Sequence, residues 1–202
     1  MKDKGFEAAR MAFQIEAQCL AEAFSYIDEA EFAKAVDVLA AAPRIAASGC
    51  GHTSFAVRHF VHLMCCIERP ARFISTGEAV HGGAGYIQKG DVMLLASRGG
   101  KTSELLPILR ICKAKDAAVI AVTENMQSPL AVGSDIVLRM HVTREVDPFN
   151  TQGTTSNAMM NALFDALQAA LIEETGFTTD SFALVHPGGA VGERLNSRGL
   201  IW

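Results

Sequence analysis

Apolar residues in the first part of the chain recur at helical spacing. Residues 5–41 are rich in alanine, hold no proline and no internal glycine, and predict a long helical segment. The stretch Tyr26-Ile27-Asp28-Glu29 interrupts it, with Asp28 placed to cap a second helix, and Pro43 ends the run. Residues 1–43 thus form an N-terminal helical arm, in a position to cover a subunit interface.

From Arg44 the pattern changes to short apolar runs alternating with helical stretches. Arg44–Ser48, Ala71–Ser75, Asp91–Ser97, Ala117–Thr123 and Asp135–Met140 predict five strands. Helices are expected from about Ser54 to Ile67, from the loop after the third strand to about Ala114, and from about Thr154 to Thr175. Runs apolar on both faces, separated by helices, specify a parallel sheet covered on both sides. With right-handed crossovers, the expected class is α/β: a three-layer, doubly wound, five-stranded parallel sheet in the flavodoxin-like order 2-1-3-4-5. No internal repeat, low-complexity segment or linker interrupts the chain. One domain is expected over residues 1–202, with the arm at 1–43 and the α/β core and C-terminal helices at 44–202.

Composition narrows the function classes. Half of the 202 residues are hydrophobic and 20% are charged, which excludes an intrinsically disordered chain. The 18 basic against 22 acidic side chains give a net charge of −4, and no basic-aromatic patch stands out, so nucleic acid is not an expected partner. No apolar run approaches the ~20 residues of a membrane helix, so no membrane is expected either. The start, MKDKGFEAAR, lacks the apolar core of a secretory signal. Five cysteines, an odd number without a CxxC pair, argue against a disulfide framework or a zinc ribbon and for reduced thiols in the cytoplasm.

In such sheets ligands bind outside the carboxyl ends of the strands at the switch point, here between the first and third strands. The loops there are Ser48-Gly49-Cys50-Gly51-His52-Thr53-Ser54 and Ser97-Arg98-Gly99-Gly100-Lys101-Thr102-Ser103-Glu104. Glycines admit close backbone approach, hydroxyls donate to phosphate oxygens, and a helix N-terminus favours an anion. The pair reads as a phosphate cradle. Neither loop is a nucleotide fingerprint: G-x-G-x-x-G and G-x-x-x-x-G-K-[ST] are both absent. The plain alternative is that these residues only make tight turns and caps. His59 and His62 lie three apart on the second helix but lack a third ligand at suitable spacing, so no metal site is expected. Cys50 has no base beside it in sequence and reads as a packing residue.

Two later segments sharpen the picture. Glu78–Ile87 (EAVHGGAGYI) and Phe177–Leu195 (FTTDSFALVHPGGAVGERL) resemble, in order, the EAxHGDLGMI and FTxxDFAxxHPGGxLGxxL segments of the sugar isomerase (SIS) domain, in its arabinose 5-phosphate isomerase branch. The resemblance runs from about Arg44 to Leu195. It implies interconversion of D-ribulose 5-phosphate and D-arabinose 5-phosphate through an enediol, without metal or organic cofactor, in a homo-oligomer, a tetramer or dimer. The family's C-terminal CBS domains have no counterpart before Trp202, so the single-domain form is expected.

Carried over by position, the implied catalytic groups are Glu145, His186, Glu104, His81 and His52. Glu145 is the first choice for the proton transfer between C1 and C2, Glu104 the second. His186 is the expected ring-opening acid or proton shuttle, a histidine that in this superfamily often comes from a neighbouring subunit, and His81 is the alternative acid or a substrate-hydroxyl contact. Phosphate and substrate contacts fall on Gly51, Thr53, Ser54, Ser97, Gly99, Gly100 and Thr102, with Thr154, Thr155 and Ser156 beside the sugar. The sequence departs from the family twice: His52 stands for a lysine, and Gly99 for the second serine of S-x-S-G-x-[ST]. Both departures leave open another phosphosugar, such as a hexulose or polyol-pathway phosphate, and a sugar-phosphate sensor without turnover. Read without the resemblance, Glu104 is a helix N-terminal carboxylate, Glu145 a solvated turn residue and His186 a structural histidine.

Overall fold

A computed structural model describes residues 2–196; residue 1 and residues 197–202 of the expected domain lie outside the described residues. The arm comprises α1 (Lys2–Ala23), a single 3₁₀ turn at Phe24–Tyr26 and α2 (Glu29–Ala41). Asp28 caps α2, its carboxylate accepting from the Glu31 N–H at 3.0 Å. The two helices differ in burial. In α2, Ala35, Val36 and Leu39 sit in the core, whereas α1 buries Cys19 and leaves Phe6 and Phe13 more than three-quarters exposed. The second half of the arm is therefore part of a core layer.

Five parallel strands form one sheet in the order β2-β1-β3-β4-β5: β1 (Ile45–Gly49), β2 (Ala71–Phe73), β3 (Val92–Ala96), β4 (Ala118–Thr123) and β5 (Ile136–Arg139). The expected class and strand order are those observed. The strands are shorter than the apolar runs because their end residues take other work. Ser75 caps the short α4 (Thr76–Ala79) through a 3.2 Å bond from the Glu78 N–H, and the Asp91 carboxylate pairs with Arg44 at 2.9 Å.

Side-chain alternation along the strands feeds two apolar layers. Ile45, Ala47, Val92, Leu94, Ile120 and Val122 face α2, α3 (His52–Cys66) and α7 (Thr155–Thr175), whose Leu39, Phe60, Met64, Phe164 and Leu167 are fully buried. Met93, Leu95, Val119 and Ala121 face α5 (Leu106–Ala114) and α6 (Pro129–Gly133) on the other side. Helices α3 and α7 run side by side in the same direction and are tied at three heights. Asn157 Nδ2 donates to the His52 carbonyl at 2.7 Å, His59 Nε2 meets Asp165 at 3.1 Å, and Gln168 Nε2 donates to the Leu63 carbonyl at 3.0 Å. The chain then turns at Gly176 (φ +65) into α8 (Thr179–Val185) and α9 (Gly189–Asn196). No described helix is long and apolar enough to cross a membrane.

Candidate functional site

The loop after β1 is shaped by two glycines. A Cβ at Gly49 would press on Thr53 and Val57 at 3.1 Å, so glycine lets the strand end lie against α3. Gly51, at φ 56 and ψ −136, holds a backbone conformation that side-chain-bearing residues avoid and stands at the N-cap of α3 with no side chain capping the helix. The Ser54 hydroxyl turns back onto the Gly51 carbonyl at 2.7 Å. The Ser54 N–H donates to the same carbonyl at 3.0 Å, and the His52 and Thr53 amides that open this 15-residue helix have no partner among the described residues at the carboxyl end of the sheet. Thr53 is half-buried and His52 exposed, and neither His52 nor His81 has a hydrogen-bonded ring among the described residues. His81 follows α4, which touches this loop through a 3.6 Å contact between Cys50 Sγ and Thr76 Oγ1.

The loop after β3 is tighter. Ser97 Oγ lies 2.8 Å from Thr102 Oγ1 and accepts from the Gly100 N–H at 3.1 Å. Gly100 has φ +65, and a Cβ there would overlap Ser128 Oγ and come within 2.9 Å of Thr123 Oγ1. Its carbonyl also receives the Leu130 N–H at 3.2 Å, so it is wedged against the start of α6. Gly99, by contrast, is exposed, and a side chain at that position would meet nothing within 4 Å.

Glu104 lies in the turn before α5, not in its first turn. Pro107, which suits the start of a helix because it lacks an N–H, shifts the helix start to Leu106. The Glu104 carboxylate is exposed, and the Ser103 hydroxyl, donating at 2.8 Å, holds it below the usual carboxylate range together with a backbone hydrogen bond.

Glu145 is the opposite case: 1% exposed, in the loop between β5 and α7. One oxygen accepts from Arg98 Nη1 at 2.6 Å. The other accepts from the Thr154 N–H at 2.9 Å, the Thr154 hydroxyl at 3.1 Å and the Ser156 N–H at 3.1 Å. Burial pushes its carboxyl up, but the hydrogen bonds from Ser156 and Thr154 and the Arg98 charge outweigh that and leave it below the ordinary value. Thr154 and Ser156 therefore serve this carboxylate, while Thr155 is fully buried, its hydroxyl without a partner among the described residues. In the same loop Asp147 accepts from the N–H groups of Phe149, Thr151 and Gln152 at 2.8–3.0 Å. Gly153 backs onto His52, where a Cβ would lie 3.2 Å from the His52 Cβ.

His186 is not brought to these loops within one chain. Its ring lies 5.0 Å from that of Phe182, which lines a hollow with Ile67, Gln168, Ile172 and Phe177 at the far end of α3 and α7. The hollow reaches Ile172, 16 residues along α7 from Ser156, and so lies about 24 Å along that helix from the donors that hold Glu145. The ring's Nδ1 is buried without a partner among the described residues.

Sequence reading missed a set of charged residues. Arg98 also donates Nε to Glu124 at 2.8 Å, and the other Glu124 oxygen meets His141 Nδ1 at 2.6 Å. Glu124 comes directly after β4 and His141 lies two residues past β5. A search for the first polar side chains beyond each strand's carboxyl end would have found them.

A family model for the SIS domain matches residues 38–170. The arabinose 5-phosphate isomerase KdsD of Pseudomonas aeruginosa is 36% identical over 166 residues, covering 82% of this chain and 51% of that protein. The chain spans about half the length of the curated relatives it matches. A Listeria monocytogenes crystal structure superposes with a TM-score of 0.91 at 36% identity, covering 93% of this chain and 99% of that one. The Escherichia coli CFT073 protein c3406, solved in complex with arabinose 5-phosphate, superposes with a TM-score of 0.87 at 26% identity, covering 93% of this chain and all of the other.

Proposed function

The chain belongs to the SIS domain family, and we propose that it is a sugar-phosphate aldose–ketose isomerase interconverting D-ribulose 5-phosphate and D-arabinose 5-phosphate. The observation that carries the reading is the pairing of the open N-terminus of α3 with the hydroxyl loop after β3, at the switch point of the sheet. The amides at the start of α3 and the hydroxyls of Thr53, Ser54, Ser97 and Thr102 receive the phosphate. Ser97 and Thr102, bonded to each other in the free protein, turn their hydroxyls to it. The name of one similar protein and the arabinose 5-phosphate complex of another support a pentose phosphate as substrate.

The proton moves through Glu104. From the ketose, its carboxylate takes a proton from C1 to give the enediol and returns one to C2, while an imidazole protonates the carbonyl oxygen and takes a proton from the neighbouring hydroxyl. Glu104 is assigned this step, ahead of Glu145, because it is exposed and, among the described residues, bound only by Ser103 and a backbone N–H. Both Glu145 oxygens are buried and already accept donors, so Glu145 is assigned to hold Arg98 against the start of α7. His81 and His52 are assigned as acid and hydroxyl contact. Acid and base suffice for enediol chemistry, so neither metal nor organic cofactor is invoked.

His186 is assigned to the site of a second copy, since it lies at the far end of α7 from its own loops. A homo-oligomer, tetramer or dimer, results from that assignment. The exposed Phe6, Phe13 and Phe24 of the arm, 76–80% accessible, support such an assembly. One domain in the cytoplasm, with reduced thiols, completes the reading.

Proton NMR of both pentose phosphates with the protein in D₂O tests it. The expected result is interconversion with deuterium entering at C1 or C2. Saturable binding without interconversion or exchange would make the protein a sensor; turnover of another phosphosugar alone would change the substrate.

A further inference from the structure

Glu124, the first residue after β4, meets Arg98 twice. Its N–H donates to the Arg98 carbonyl at 2.9 Å, and its Oε2 accepts from Arg98 Nε at 2.8 Å. Backbone and side chain thus clamp the two residues to each other, and Thr123 Oγ1 adds a third bond to the same carbonyl at 3.0 Å. The other Glu124 oxygen meets His141 Nδ1 at 2.6 Å, and the His141 ring rests 4.5 Å from that of Tyr26 at the joint of the arm. The Arg98, Glu124 and His141 side chains are 35%, 24% and 29% exposed, against 82% and 75% for the surface pair Lys89–Asp116. Partial burial limits screening, so these contacts constrain geometry where the surface pair does not. The set caps no helix and fills no core. Its effect is to fix the direction in which the chain leaves β3.

We propose that Glu124 is a positioning residue for the phosphate loop: through Arg98 it holds residues 97–102 in the shape that receives the anion, and His141 holds Glu124 in turn. The proposal rests on the reading that this loop takes the substrate phosphate. Without the Glu124 side chain, Arg98 keeps Glu145 as its carboxylate partner among the described residues, and the loop stays tied to the end of β4 only through the Arg98 carbonyl, which accepts from the Glu124 N–H and Thr123 Oγ1.

Two measurements on the full chain separate this inference from that reading. Amide hydrogen exchange needs no ligand. In Glu124→Ala, exchange at the Gly100 N–H, which the Ser97 carbonyl and hydroxyl accept, is expected to speed up about tenfold, with Glu124→Gln between it and wild type because one acceptor remains, and with β1 and β4 unchanged. Unchanged exchange in the loop overturns the proposal, as does acceleration across the whole sheet, which would make Glu124 an ordinary stability residue. With D-arabinose 5-phosphate, Glu124→Ala is expected to raise KM about tenfold at nearly constant kcat, and Glu124→Asp to recover part of the loss. A fall in kcat at constant KM overturns it by placing Glu124 with the proton-transfer groups. If wild type neither turns over pentose phosphates nor binds inorganic phosphate, the functional reading fails, and the exchange result alone decides whether Glu124 sets the loop.

Discussion

The loop after β1 runs straight into the uncapped start of α3, whereas the loop after β3 takes residues 97–105 before α5 begins. The first offers unpaired amides that need no rearrangement to meet an anion. In the second, Ser97 and Thr102 already satisfy each other, and Gly100 is wedged against Ser128, so its hydroxyls must let go of one another before they can bind. Similar glycine and hydroxyl content therefore builds two devices: a fixed electrostatic seat and an adjustable clasp with a charged anchor, Arg98, behind it. The difference lies in the residues that come after each glycine.

The strongest way to break this comparison is at Glu104, the carboxylate that only the second loop carries. Glu104→Gln is expected to lower kcat by about 10²- to 10⁴-fold with unchanged circular dichroism. If Glu145→Gln did this instead, at unchanged thermal stability, the two carboxylates would exchange roles. Next in size is the wedge. Gly100→Ala is expected to cost about 3 kcal/mol in thermal unfolding, while Gly51→Ala, where the space is open and only the backbone angle is strained, costs about 1 kcal/mol. Equal losses at the two positions would mean the loops are built alike.

A smaller effect concerns acid. The Glu145 carboxyl is held below its ordinary value of 4.5, so its contribution to stability is present above that value and is lost as pH falls through the lower folded value. Denaturant titrations should show wild type losing stability over that window and Glu145→Gln losing less. The smallest change sharpens the comparison. Gly99→Ser meets no neighbour within 4 Å and is expected to alter stability by no more than about 0.5 kcal/mol, while its added hydroxyl tightens phosphate binding about threefold by calorimetry.

The sheet was legible because runs such as Val92–Ala96 and Ala118–Thr123 are buried on both faces, and continuous apolar runs separated by helices have few other solutions. Asp28 and Pro43 marked the joint and the end of the arm for equally local reasons. The site was legible only in its loops. Thr-Arg-Glu-Val-Asp-Pro reads as a solvated turn, and nothing local says that Glu145 is drawn inward by donors from Thr154 and Ser156, nine and eleven residues on. Arg98 reads as a spacer between Ser97 and Gly99, since its partners lie 26 and 47 residues away. His186 sits in a telling segment, but its distance from the loops is set by the length of α7 and the packing of α8, which no short motif encodes.

The seam between α3 and α7 has a mechanical consequence. Ties at residues 52 and 157, 59 and 165, and 63 and 168 make the two helices a splinted pair that cannot slide past one another without breaking all three together. One end of the splint carries the uncapped start of α3, and the other carries the hollow where Phe182 packs against His186. A tilt at the first end is shared by the second, which lies about 22 Å along α3, so the two ends share one lever rather than a relay of small adjustments.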